Sequence, residues 1–441
     1  MNKTALTILA VLALASCACG PKQDIPKPDP GTTTPETPET PPENFEVQVP
    51  LKSEITHVQP MTGLVLWTSS RSKADYIQLE YSYMLYNQVC KEKDVFNWDP
   101  MDQLLEEVAS RGHQAVVRFR YTYPGYASAV PDYIKALDGY EAKWAKADGR
   151  SKPDTEYPDW RCEELQRFHK EFHRRFAERY DNDPRLAFVE TGFGHWAEYH
   201  VYDGLYIKGQ TFPSTDFQRE FLPLMDEWFL DTPWLISIDA ADGSYGSPFP
   251  TTKSLLDLRF GNFDDSFMCE DWNGYNWRSW KFFGEERYKK GPAGGEFSYY
   301  SSYDQKHCLD PGGMYGRTFE ELAAKVHMSF IIGADQPGKQ TKERLKEASM
   351  AMGYRFEIRD YVIGENNTAR ILIANVGVAP IYRDAFVELD GEKGELNLRT
   401  LMPGDEAWIN FPHATLQSVP HIVCDHLVEG QEIQYQADIN I

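Results

Sequence analysis

The stretch "RLAFVETGFGHWAEYH", Arg185 to His200, opens as one kind of structure and closes as another. Leu186 to Val189 form a short apolar run, the signature of a strand covered on both faces. Glycines, aromatic rings, two histidines and the carboxylate of Glu198 follow, and that mixture belongs to a strand's end and its loop. The meaning of Glu198 therefore depends on where the other strands fall.

Seven further β-rich runs accompany this one: "GLVLW" (63–67), "YIQLEYSY" (76–83), "QAVVRFRY" (114–121), "WLISIDA" (234–240), "SFMCED" (266–271), "AGGEFSYY" (293–300) and "HMSFIIGA" (327–334). Helical patterns lie between most of them, which predicts an α/β chain with a parallel sheet. Eight such units close a (β/α)8 TIM barrel. "DPMDQLLEEVASRG" reads as one of its helices, with Asp99 capping, Pro100 in the first turn and Gly112 as the stop. "EELQRFHKEFHRRFAERY" and "TFEELAAKVHMSF" follow the same logic. Only "TSSRSKAD" separates the first two runs, too little for a barrel helix. From about Met352 the pattern changes to alternating strands, "YRFEIRDYVIG", "ARILIANVGVAP", "DAFVELDG", "GELNLRTL", "AWINFP" and "HIVCDHL", which predict a small C-terminal all-β sandwich. The folded part divides into a barrel over 45–351 and a sandwich over 352–441.

The beginning of the chain has a different character. Lys3 precedes "ALTILAVLALA" and the box "LASC", a signal peptide over 1–16 that is too short to remain as a membrane span. Such a box resembles that of bacterial lipoproteins, which implies that Cys17 is lipidated. The Pro-, Thr- and Glu-rich stretch over 17–44 is expected to be an extended tether. Membrane association is thus expected through the lipid alone, at the cell envelope and on the outer membrane of a Gram-negative bacterium, with the chain facing outward. The formal net charge of −22 argues against nucleic acid as a partner. Cys90, Cys162, Cys269, Cys308 and Cys424 show no zinc-type spacing; no metal, cofactor or disulfide is expected.

In a TIM barrel the strand ends converge on one mouth. The candidates there are Glu80 on the second run; Arg118, Arg120 and Tyr121 on the third; and His195, Trp196, Glu198 and His200 after the fourth. Asp239 follows the fifth, Glu270, Asp271, Trp272 and Asn273 the sixth, and Glu296 and Tyr299 the seventh. Aromatic rings beside carboxylates suit a carbohydrate, because rings stack on sugar faces while carboxylates bind hydroxyls. Glycoside hydrolysis needs one protonated and one ionised carboxyl across the scissile bond. Glu198 and Glu296 fit that demand from roughly opposite sectors. Trp196 and Tyr199 are expected to desolvate Glu198 and raise its pKa, making it the acid/base and Glu296 the nucleophile. Arg118 and Arg120 share a strand face and can serve either as partners of barrel carboxylates or as substrate contacts. The acids Asp264, Asp265, Glu270 and Asp271 lack the glycine-punctuated loop of a calcium site.

"VFNWDPMDQLLEEVASRGHQAVVRFRY", "GFGHWAEYH", "GGEF" and "ILIANVGVAP" together resemble the large clan of retaining (β/α)8 glycoside hydrolases. Within it the chain is similar to an uncharacterised family of bacterial glycoside hydrolase lipoproteins. The resemblance implies an acid/base glutamate after strand four and a nucleophile ending strand seven. It also implies an asparagine before the acid/base to bind the sugar 2-hydroxyl, whereas Ala197 stands there; Asn273 and His195 are candidates for that contact. Two readings follow, a surface-tethered glycoside hydrolase acting on an oligo- or polysaccharide, and a carbohydrate-binding lipoprotein without turnover.

Overall fold

The computed structural model describes residues 45–147, 154–364 and 366–440. The segment 1–16, Cys17 and most of the tether lie outside the described residues. No helix among the described residues is long and apolar enough to cross a membrane.

Eight parallel strands pair in chain order and close a barrel. Strands 1 to 4 are Gly63–Trp67, Ile77–Leu85, Gln114–Arg120 and Leu186–Thr191. Strands 5 to 8 are Trp234–Ser237, Phe260–Phe267, Ala293–Phe297 and Phe330–Ile332, with Phe330 of strand 8 returning to Gly63 of strand 1. Successive side chains on a strand point to opposite faces. Val65, Leu79, Tyr81, Val116, Phe188, Leu235, Phe263 and Phe330 share the interior cluster, while Val117, Val189 and Ile236 pack outward against helices.

The helix Glu163–Tyr180 shows how that outer layer is made. Leu165, Phe168, His169, Phe172 and Phe176 recur at helical spacing and are buried. The opposite face carries ion pairs such as Arg175 with Glu171, four residues apart. A short 3-10 turn, Thr68–Ser70, alone joins strands 1 and 2, as the brief linker requires. The helix Asp99–Ala109 begins one residue differently from the sequence expectation. Asp99 is its first residue rather than its cap, and the Asn97 side chain accepts from the Asp99 amide at 2.9 Å.

Behind the barrel, Phe356–Gly364, Ala369–Asn375, Glu406–Phe411 and Tyr435–Ile439 build most of a six-stranded sheet. It faces a three-stranded sheet of Phe386–Leu389, Glu392–Lys393 and His421–Val423. Ile371, Ile373 and Phe411 pack with Val387 and Ile422 between them. Two elements differ from the expected sandwich. "GELNLRTL" supplies a 3-10 turn, Leu398–Thr400, instead of a strand. Phe45–Gln48 and Leu51–Ser53, which the sequence division assigns to the barrel, complete the sandwich sheet by pairing with Phe356–Gly364 and Tyr435–Ile439. The sandwich holds the closed end of the barrel, where Arg383 donates to the carbonyl of Leu186 and Gln114 to that of His426. Those residues begin strands 4 and 3, so the opposite, C-terminal rim is left for a ligand.

Candidate active site

Strand parity sorts the candidate residues. Arg118 and Arg120 share the interior face with Val116, Glu190 with Phe188, Asp265 with Phe263, and Glu296 with Gly294. Glu80 and Tyr121 have the opposite parity and do not reach the mouth. Glu80 is fully buried and accepts two hydrogen bonds from Arg111, with His113 at 2.7 Å. Tyr121 stacks on Tyr86 at 4.0 Å and meets His169 among the helices. Proximity to a strand end is therefore not enough to place a side chain in the mouth.

Glu198 lies seven residues beyond Thr191, the last residue of strand 4, and the intervening loop folds back on itself. The amides of Phe193 and Gly194 donate to the carbonyl of Glu198 at 3.1 and 2.7 Å, and the amide of His195 donates to that of His200 at 3.0 Å. That return passes so close that a Cβ on Gly192 would lie 1.9 Å from the Ala197 carbonyl oxygen, and one on Gly194 would lie 2.0 Å from that of His200. The two glycines of "TGFGHWAEYH" therefore exist to admit backbone. At the tip, Trp196 and Ala197 both take left-handed dihedrals, φ 56° and 59°. Each costs about 1 kcal/mol or more for a residue other than glycine, strain of the sort found where a side chain must be aimed. Gly194→Ala is expected to displace Glu198 and to destabilise the protein by roughly 2–4 kcal/mol, read as a lower denaturant midpoint.

The buried guanidinium of Arg118 lies between two carboxylates, Glu190 and Glu198, and contacts both. It also covers the Phe263 ring at 4.6 Å. Burial works against the charge of Arg118, but Glu190 and the surrounding groups outweigh it and raise its pKa. Burial likewise raises the carboxyl of Glu190, against the pull of Arg118 and a hydrogen bond from Tyr81 at 2.6 Å. The surroundings of Glu198 differ from those the sequence suggests. Glu198 is 4% exposed, and its carboxylate is engaged by a cation instead of being left among apolar rings. Contact with a guanidinium favours a charged carboxylate.

Glu296 is the contrasting case. Burial pushes its carboxyl up to about 8, and Asp265, Glu190 and Asp335 add to that against Arg118. Asp239, in the 3-10 turn after strand 5, is pushed up to about 7 by burial and by Asp265. Asp265 goes the other way, because His200 bonds it at 2.9 Å and outweighs burial. Strands 4 to 7 thus present five carboxyl groups to one mouth beside a single buried arginine, and like charges prevent all of them from ionising together. His200, Asp239 and Asp265 each offer an atom within 4.8 Å of the others, a spacing a cation can use, but Nε2 of His200 already meets Asp265.

Aromatic rings form a continuous run over the rim of strands 1 to 4. Ring centres lie 5.1 Å apart for Trp67 and Tyr83, 6.3 Å for Tyr83 and Tyr123, and 6.2 Å for Tyr123 and Trp196. His200 lies 5.8 Å from Trp196 and stacks on Tyr202 at 4.0 Å. Tyr299 and Tyr300 stand exposed after strand 7, and Tyr299 feels the charge of Glu296.

Several expected contacts are elsewhere. Trp272 is fully buried, donates to Asp264 at 2.9 Å and packs on Phe267. Asp264 has outward parity and also accepts from Asn276 at 2.7 Å, so it braces the strand 6 loop and does not cluster with the exposed Glu270 and Asp271. Asn273 is exposed beside them. His195 is buried beneath its loop against the Tyr157 hydroxyl at 2.9 Å, and burial pushes its pKa down to about 3. Gly294 admits the Phe330 ring, which a Cβ would meet at 2.4 Å, and not a ligand. Glu190, Asp265, Trp67, Tyr83, Tyr123, Tyr202 and Tyr300 also belong to the mouth. Spacing by two along a strand, Phe188 to Glu190 and Phe263 to Asp265, is the signal that finds the two acids.

No family model matches the chain, and no curated protein matches it in sequence. Among solved structures, the endo-glycoceramidase II of Rhodococcus sp. in complex with a five-membered iminocyclitol aligns with 82% of this chain and 100% of its own, at 9% identity and a TM-score of 0.39. The catalytic domain of β-amylase from Paenibacillus polymyxa aligns with 67% of this chain and 99% of its own, at 11% identity and a TM-score of 0.39. Xylanase B from Clostridium stercorarium F9 aligns with 63% and 86%, at 12% identity and a TM-score of 0.36. At these values nothing about the fold, the activity or the role of any residue is taken from the likeness.

Proposed function

We propose that the chain is a glycoside hydrolase that cleaves an oligo- or polysaccharide at the C-terminal mouth of its barrel. The observation that carries this reading is a pair of unlike carboxyl groups, Glu296 pushed up to about 8 and Glu198 bound to Arg118, beside a run of aromatic rings. One is suited to give a proton and the other to act as an ion. In the free protein this electrostatics favours Glu296 as the acid and Glu198 as the nucleophile or base, the reverse of the order in the resembling clan. A retaining course, which that resemblance favours, needs the two carboxyls about 5–5.5 Å apart, and the anomer released first decides it by proton NMR. The lipobox at Cys17 and the Pro-rich tether support placement at the cell envelope, on the outer membrane and facing outward, among the lipoprotein family it resembles.

The test is a screen of the purified protein against a panel of glycans. A new reducing end is expected from at least one, and Glu198→Gln is expected to lower its rate by roughly a hundredfold or more. Products that survive both Glu198→Gln and Glu296→Gln would remove the site. One observation favours a sugar-binding protein without turnover: Glu198 is almost fully covered and already neutralised by Arg118. Tight glycan binding with no product from any bound glycan would establish that reading instead.

A further inference from the structure

Arg118 and Arg120 stand two residues apart on the same face of strand 3, yet their surroundings are opposite. Arg118 has two glutamates. Arg120 has no hydrogen bond and no ion pair among the described residues, and its Nε is buried without a partner. Tyrosines surround it: its guanidinium carbon is 4.5 Å from the centre of the Tyr123 ring and 5.7 Å from that of Tyr83. The groups whose charges reach it are Tyr83, Tyr123 and Tyr126, with no acid among them. In a chain of net charge −22, a half-buried cation without a carboxylate is an unfinished arrangement, because burying an unpaired charge is costly. Cation–π contacts hold the plane of the guanidinium but leave its hydrogen-bond donors unused.

We propose that Arg120 is the anchor of a subsite for an acidic sugar, one that carries a carboxylate, as in a hexuronate, or a sulfate ester. The inference rests on the reading of the mouth as a sugar site and names the class of sugar. The planar fork of arginine matches two oxygens of either group, and the Tyr83 and Tyr123 rings beside it are of the kind that packs against a sugar face. Position ties the subsite to the reacting carboxyls, since Tyr83 senses both Arg118 and Glu296. The acids Asp239, Asp265 and Glu296 around the same mouth, together with the net charge, disfavour a chain of closely spaced anions. A glycan with an isolated acidic residue among neutral ones fits better.

The experiment compares binding of the full chain to immobilised oligosaccharides of three kinds, uronate-containing, monosulfated and neutral, followed by calorimetric titration of the retained ones. Retention of acidic glycans over their neutral counterparts is expected, and the uronate and sulfate arms identify which anion the subsite takes. Arg120→Gln is expected to weaken binding of acidic glycans by roughly tenfold to a hundredfold, and by clearly more than it weakens binding of their neutral counterparts. Arg120→Lys keeps the charge but not the fork and should recover only part of the loss. Equal retention of neutral and acidic glycans, no retention of any acidic glycan, or unchanged affinity in a folded Arg120→Gln protein each overturns the proposal. Acidic glycans that bind through Arg120 but are never cleaved would sink the hydrolase reading and leave the subsite standing. Cleavage of acidic and neutral glycans at equal rates, by the parent and by Arg120→Gln alike, would do the reverse.

Discussion

Glu296→Gln is expected to abolish glycan cleavage, by roughly a thousandfold, and at the same time to raise the melting temperature near neutral pH. The loss follows from removing the carboxyl that burial raises to about 8 at the mouth, since general-acid assistance contributes roughly 10²–10⁴-fold. The gain in stability follows from the same burial. The Glu296 carboxyl is raised from an ordinary 4.5 to about 8, so the folded protein holds this proton more tightly than the unfolded chain does. Its contribution is complete below about 4.5 and is lost as pH rises through about 8, where the folded state must carry a buried anion. Glutamine has no proton to lose. By pH 7 the difference reaches on the order of 1–3 kcal/mol, several degrees in melting temperature for a chain of this size. The stabilisation should be small at pH 5 and grow towards pH 8. Parallel melting curves for the two proteins across that range would show that Glu296 does not titrate as described. If Glu296 is the acid, the parent's activity should fall as pH rises through about 8.

Much of the barrel is legible in the sequence because its strands are short apolar runs separated by amphipathic helices, and seven of the eight runs begin within three residues of their strands. Strand 6 is the exception. Its run is expected from Ser266, whereas the strand starts at Phe260, because "FGNFDD" alternates apolar residues with Gly, Asn and Asp and carries no continuous hydrophobic signal. The late start left Asp265 out of the site. Both faces contribute to the late start: Asp265 is polar on the inner face, and Asn262, Asp264 and Ser266 are polar on the outer one, so neither leaves an apolar run. Position along a strand locates a rim, but only parity decides whether a side chain enters the mouth, as Glu80 and Tyr81 show from adjacent positions. The ion pair of Arg118 with Glu198 spans 80 residues, and no local pattern announces it.

Arg118→Met is the substitution with the largest expected effect on folding. Methionine can occupy the space beside Phe263 and Tyr81, but it leaves Glu190 and Glu198 buried with no cation between them. Removing one member of a buried charge cluster costs about 3–5 kcal/mol, mostly through the uncompensated charge that remains. The deficit should therefore depend on pH, with a sign that follows from the arginine's role. Without Arg118 the carboxyl of Glu190, already raised by burial, loses the interaction that opposes that rise, and it takes up a proton at higher pH. A carboxyl that binds its proton more tightly in the folded state stabilises that state as pH falls, so the variant should lose least in acid and most above neutrality. Adding Glu190→Gln and Glu198→Gln to Arg118→Met should recover a large part of the loss at pH 7, because neutral amides need no cation. Denaturant midpoints of the three proteins, parent, Arg118→Met and the triple variant, at pH 5 and pH 8 measure this. A deficit independent of pH and unrelieved by the two glutamines would mean that Arg118 acts by filling space, and the electrostatic account of Glu198 would fall with it.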